Sequence, residues 1–220
     1  RSGPADTHQV FEDKGIFELA RSMKFIPIVV DEIPLSEFVK IMPENGHWSN
    51  GFYFAKMAQT TDVIGLCCLK THAYGGHFTM SLKLATGLVH RRNMTELHSS
   101  LHMREMIAEM NLAYRPRFMI MDGVEAFFDG GPMAGSIWRA GLSLASEDRV
   151  ALDAVGVAAL KMHGTTKEIE TKKVFEQTQI RHAARLGLGA DKTEDIELRA
   201  VDEASQDMVD RLSKHLYDGS

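Results

Sequence analysis

Between Lys70 and Lys83 the chain reads KTHAYGGHFTMSLK, a dense set of ammonium, imidazole and hydroxyl groups around a Gly-Gly pair. Lys70, Thr71 and His72 can present a cation, a hydroxyl and an imidazole to one anionic ligand, with Thr79 adding a second hydroxyl. The amides of Gly75 and Gly76 can approach such a ligand closely because neither residue carries a Cβ. Lys83 stands in the otherwise apolar stretch SLKLATGLV. Partial burial there would lower its pKa and make it a base or a covalent nucleophile. The plainer alternative is a lysine stem laid across apolar surface with its head in water.

Further along, His98 and His102 in HSSLH are one helical turn apart, a spacing at which two imidazoles can hold one metal ion. The zinc-protease arrangement also needs Glu beside the first His, where this chain has Ser99. One histidine serving singly in a site is therefore the better reading. Asp122 follows the apolar run RFMIM, and Gly130 and Gly131 open the loop GGPMAG, which fits neither the P-loop nor the dinucleotide fingerprint. Asp153 in EDRVALD points inward by its neighbours Ala151, Leu152 and Val155, and an inward acid needs a cationic or amide partner. There is no nucleophile elbow and no Cys-x-x-Cys pair.

These groups need a frame. Apolar spacing predicts a helix over Val10 to Ala20, followed by FIPIVVDE as a strand ending at Asp31 and Glu32. LSEFVKIM and FYFAKMAQ read as short helical pieces. TDVIGLCCL reads as a strand covered on both faces, because its apolar run does not alternate. NMTELHSSLHMREMIAEMNLAY reads as one long helix, RFMIMDG and LSLAS as strands, and EDRVALDAVGVAALKMHG as a helix capped by Ser146. A helix from Glu168 to Leu186, a strand IELRAV and an amphipathic end helix follow. The alternation implies an α/β fold, an open, mainly parallel sheet with helices on both faces. Ligands of such sheets bind beyond the carboxyl ends of the strands. Lys70 to His72, Asp122 to Gly123 and Ser146 to Asp148 each follow a predicted strand, so all three should converge on one edge.

At 220 residues the chain is expected to form a single α/β domain over 1–220, with an N-terminal βαβ portion lacking or truncated. No apolar run approaches the ~20 residues that span a bilayer. The net charge of −5, with 25 Lys and Arg scattered among 30 acids, excludes nucleic acid as a main partner. The two cysteines, Cys67 and Cys68, are too few for a disulfide framework or for an iron-sulfur cluster held by this chain alone. The opening RSGPADTH has no initiator Met and reads as an interior stretch; a cytoplasmic location is favoured over export.

Taken in order, KTHAYGGHFTMSLKLATG, His98, FMIMDGVEAFFDGGPMAG and LASEDRVALDAVG resemble the prokaryotic family known as domain of unknown function 362, over about Gly15 to Glu197. The resemblance maps the family's Lys-Thr-His onto Lys70 to His72 and its following Thr and Lys onto Thr79 and Lys83. Its later motifs fall on His98, Asp122 and Gly123, Gly130 to Pro132, and Asp148 to Asp153. Where the family has Asn after the second Lys, this chain has Leu84. Relatives joined to ferredoxin-like iron-sulfur modules imply a redox context and a ferredoxin-like partner. A fainter similarity is to the catalytic domain of the nickel-pincer lactate racemases, whose order of Gly-Gly, Lys and His is loosely followed by Gly75, Gly76, Lys83 and His98.

Two functional readings follow. In the first, Lys70, Thr71, Thr79, Asp122, Gly130, Gly131 and Asp153 bind a small anionic metabolite, Lys83, His72 and His98 act on it, and a divalent metal or redox cofactor takes part. In the alternative, the same polar edge is a non-catalytic docking module for an iron-sulfur or other redox partner.

Overall fold

A computed structural model describes residues 6–75 and 77–217. The chain begins with helices α1 (Thr7–Asp13) and α2 (Ile16–Met23), strands β1 (Phe38–Ile41) and β2 (Phe52–Ala55), and the short α3 (Met57–Thr60). Next come β3 (Ile64–His72), β4 (His77–Thr79), α4 (Ser81–Leu84), α5 (Met94–Ser99) and α6 (Met103–Met110). The remainder is β5 (Phe118–Gly130), β6 (Gly135–Trp138), β7 (Leu142–Ser146), α7 (Arg149–His163), α8 (Lys167–Glu170), α9 (Thr178–Arg185) and α10 (Gln206–Tyr217). Among the described residues no helix is long and apolar enough to cross a membrane.

The fold is α/β with an open sheet. Five strands run in the order β4-β3-β5-β6, with β7 also paired to β5. The central pair β3–β5 is parallel, and β4, β6 and β7 run antiparallel to their neighbours. β1 and β2 form a separate antiparallel hairpin. Along β3, buried Gly65, Cys67 and Leu69 alternate with exposed Ile64, Leu66 and Cys68. The unbroken apolar run therefore marks a strand covered on one face there, with α4 and α7 packed against the row of Cys67, Leu69, Met119 and Met121. A second core joins Trp48, Phe52 and Phe54 to Leu97, Met106, Ile107 and Met110 of α5 and α6.

Several elements differ from the sequence reading. FIPIVVDE forms no strand: Pro27 lacks an N–H for a ladder, and Ile26 and Ile28 are exposed. IELRAV is likewise irregular and pairs with no strand among the described residues. LSEFVKIM and FYFAKMAQ contribute β1 and β2, since their aromatic and β-branched residues pair across the hairpin. The first helix is two, because Gly15 takes a left-handed conformation at φ 67°. The long helix predicted from Asn93 breaks at Ser100, whose backbone is extended and whose hydroxyl accepts the His102 N–H at 3.0 Å. The helix from Glu168 also breaks, into α8 and α9. Asp148, rather than Ser146, caps α7 by accepting from Val150 and Ala151.

Candidate functional site

The site is built around α4, four residues long and unable to persist as an isolated helix. It is held by buried side chains from two other helices. Asp153 of α7, fully buried, accepts hydrogen bonds from the Ser81 N–H at 2.7 Å, the Ser81 hydroxyl at 2.5 Å and the Leu82 N–H at 3.2 Å. Asn111, just past α6, donates to the Leu82 carbonyl at 2.9 Å, and Arg149 in turn donates to Asn111 at 3.0 Å. Burial pushes the Asp153 carboxyl up to about 7, while the bonds from Ser81 and Leu82 pull it back down.

This scaffold holds Lys83 with 8% of its surface exposed. Burial, and then the neighbouring charge of Lys70, push its ammonium down to about 7. Across the β3–β4 hairpin Lys70 stands opposite Thr79 and His72 opposite His77, so each pair shares a side of the sheet. His72 is also 8% exposed. Its pKa falls to about 4, first through burial and then through the charges of Lys83 and His98. His98 donates from Nδ1 to the Met94 carbonyl at 2.6 Å, which leaves Nε2 as the lone-pair nitrogen of the neutral ring. Nδ1 of His72 and the Thr79 hydroxyl are buried without a hydrogen-bond partner among the described residues.

The other expected site residues are distributed differently. The Thr71 hydroxyl donates to the Phe127 carbonyl at 3.2 Å and so belongs to the sheet. The turn at Gly130 and Gly131 lies against the end of β3, where the Ala73 N–H donates to the Gly131 carbonyl at 3.1 Å. A Cβ on Gly131 would come within 2.4 Å of the Thr71 carbonyl oxygen, at a φ of +76°. Asp122 does not end a strand: β5 continues past it to Gly130, and its carboxylate accepts the Val124 N–H at 2.9 Å. The three polar segments do not converge either. β7 is antiparallel to β5 and sets Ser146 opposite Met119, beside the start of β3, whereas Lys70 to His72 form its other end.

His98 and His102 are parted by the break at Ser100, so the shared helical face expected for a metal pair does not form. His98 lies near His72, while the ring of His102 packs on that of His47 at 4.4 Å. Gly76 lies outside the described residues. Arg104, which the sequence reading missed, donates to the Gly75 carbonyl at 2.6 Å and contacts His77 Nε2 at 3.2 Å.

A second polar cluster was also missed. His47, Glu109 and His182 place one ligand-type atom each within 4.8 Å of one another. Glu109 is separated in sequence from His47 by 62 positions and from His182 by 73, so no local spacing announces the group.

No curated protein and no solved structure matches the chain. The likeness to nickel-pincer lactate racemases thus rests only on the order of Gly75, Gly76, Lys83 and His98. The family described as "Domain of unknown function (DUF362)" matches residues 1–158, which carry the Lys70–Lys83 segment, His98, the Gly-Gly turn and Asp153, and the chain belongs to that family.

Proposed function

We propose that the chain binds a small anionic molecule, a carboxylate or a phosphate, through Lys70, His72, Thr79, Lys83 and His98. One observation carries the reading: two lysines and two imidazoles are gathered with no carboxylate paired to either lysine among the described residues. Like charges brought together out of water are unfavourable unless an anion compensates them. The unpartnered Thr79 hydroxyl and His72 Nδ1 supply hydrogen-bonding capacity for the same ligand. Lys83 and His72 are too deeply buried for a protein surface to reach, which favours a small ligand over a docked redox partner.

With its pKa near 7, Lys83 is divided between ammonium and amine at neutral pH. As ammonium it pairs with the anionic group; as amine it is a base or nucleophile toward an adjacent carbon. His98 Nε2 is a second proton acceptor.

The test is thermal unfolding of the protein against a panel of acetate, malonate and inorganic phosphate. At a concentration 100 times its Kd a ligand stabilises by about 2.7 kcal/mol, which raises the midpoint by several degrees. At least one anion should do so for the wild type and not for Lys83→Met or Thr79→Val. A panel with no effect, or a shift that survives Lys83→Met, contradicts the reading.

A further inference from the structure

The second cluster lies outside the anion site and is built from three separate elements. His47 follows a tight turn after β1, in which the Gly46 N–H donates to the Pro43 carbonyl at 3.3 Å. Glu109 lies on α6 and is 1% exposed, and His182 lies on α9, which packs against α6. The turn is pressed onto the carboxylate: a Cβ on Gly46 would meet Glu109 Oε2 at 3.0 Å. The His47 backbone N–H, 3.1 and 3.0 Å from the two carboxylate oxygens, holds Glu109 in orientation. His47 Nδ1 then lies 2.5 Å, and His182 Nε2 3.2 Å, from the same oxygen, Oε1.

We propose that His47, Glu109 and His182 form a binding site for one divalent transition-metal ion, with zinc the first choice. Ligand atoms arranged tetrahedrally at about 2.0–2.1 Å from such an ion stand roughly 3.3 Å apart; His182 Nε2, 3.2 Å from Oε1, already stands at that separation, and His47 Nδ1, 2.5 Å from it, stands closer. An outward movement of the His47 ring from Oε1 would bring it to the same separation. The side chains of His47 and His182 are 28% and 20% exposed while Glu109 is covered, so an ion can enter from the imidazole side and keep an outward position for water or another ligand. Two imidazole nitrogens and one carboxylate oxygen suit zinc, iron, cobalt or nickel, whereas calcium and magnesium take all-oxygen sets. His102, packed on the His47 ring, limits the directions in which that ring can turn.

The experiment uses protein carrying no histidine tag, stripped with a chelator and then titrated with zinc by calorimetry and with cobalt by visible absorption. The wild type should take up one equivalent of zinc and develop cobalt d–d bands of a low-coordinate site. Glu109→Gln and His182→Ala should each weaken zinc by at least about 100-fold, with His182→Gln standing in if the alanine variant does not fold. His215→Ala, at an exposed position of α10 outside both clusters, should bind zinc as the wild type does. Absence of stoichiometric zinc at micromolar concentration overturns the proposal, and so does zinc binding that survives Glu109→Gln and His182→Ala. In that outcome the cluster is a hydrogen-bonded His-Glu-His group only. Because the anion panel does not involve these residues, failure here leaves the anion reading standing.

Discussion

An ammonium with another ammonium beside it and little water around it holds its proton weakly, and Lys83 is in that position. Its folded pKa of about 7 lies below the unfolded value of about 10.4. Between these two values the unfolded chain binds more protons, so this group makes the fold more stable as pH rises through the window; below pH 7 the full penalty of a buried charge is present. Lys83→Met should therefore be more stable than the wild type at pH 7, with the gap closing toward pH 10, as read from urea unfolding at a series of pH values. A gap that is constant with pH would mean that Lys83 is ordinarily solvated. The motif was legible at this scale because its chemistry is concentrated: Lys70, His72, Thr79 and Lys83 fall within fourteen residues. What composition cannot show is which hydroxyl is free. Thr71 and Thr79 look alike in sequence, yet only the Thr71 hydroxyl has a carbonyl partner, from β5.

At the scale of elements, α4 exists because Asp153 and Asn111 hold it. Asp153→Ala would leave the Ser81 and Leu82 N–H groups buried without an acceptor, a loss of about 3 kcal/mol, while the Ser81 hydroxyl would keep the Arg149 carbonyl, 2.8 Å away. Asp153→Asn, which keeps one oxygen acceptor, should lose less. Denaturant unfolding of both variants, with anion binding measured beside it, distinguishes a positioning residue from a direct ligand: a variant that weakens anion binding with unchanged stability would contradict the positioning role. The sequence did reveal that Asp153 points inward, through its apolar neighbours, although not what it holds. Elements with strong local patterns, the strands containing Ile64 to Leu69 and Leu142 to Ser146 and the helices α7 and α10, were likewise legible. FIPIVVDE and IELRAV have the right residue types for strands and find no partner to pair with, which is a long-range fact. The break at Ser100 is a competition between a serine hydroxyl and the helical backbone, and apolar periodicity is blind to it.

Over the whole molecule, the alternation of helix and strand indicated an open α/β sheet, while pairing direction depended on which strands became neighbours. That direction decides the site: the antiparallel β7 carries Ser146 to Asp148 away from Lys70, and the Gly130–Gly131 turn at the far end of β5 comes to the end of β3 instead. α5 and α6 link the two polar clusters, since His98 lies near His72 and His102 packs on His47. In a chain with a net charge of −5, a local group of lysines and histidines whose lysines have no paired acid among the described residues is the feature that most needs a ligand. Its central test is calorimetric titration, at pH 8 and in two buffers of different ionisation enthalpy, of whichever anion stabilises the protein. Pairing with an anion favours the charged form of Lys83, so binding should draw a proton from the buffer in the wild type and none in Lys83→Met. Binding with no proton uptake, or with the same uptake in Lys83→Met, would contradict the account.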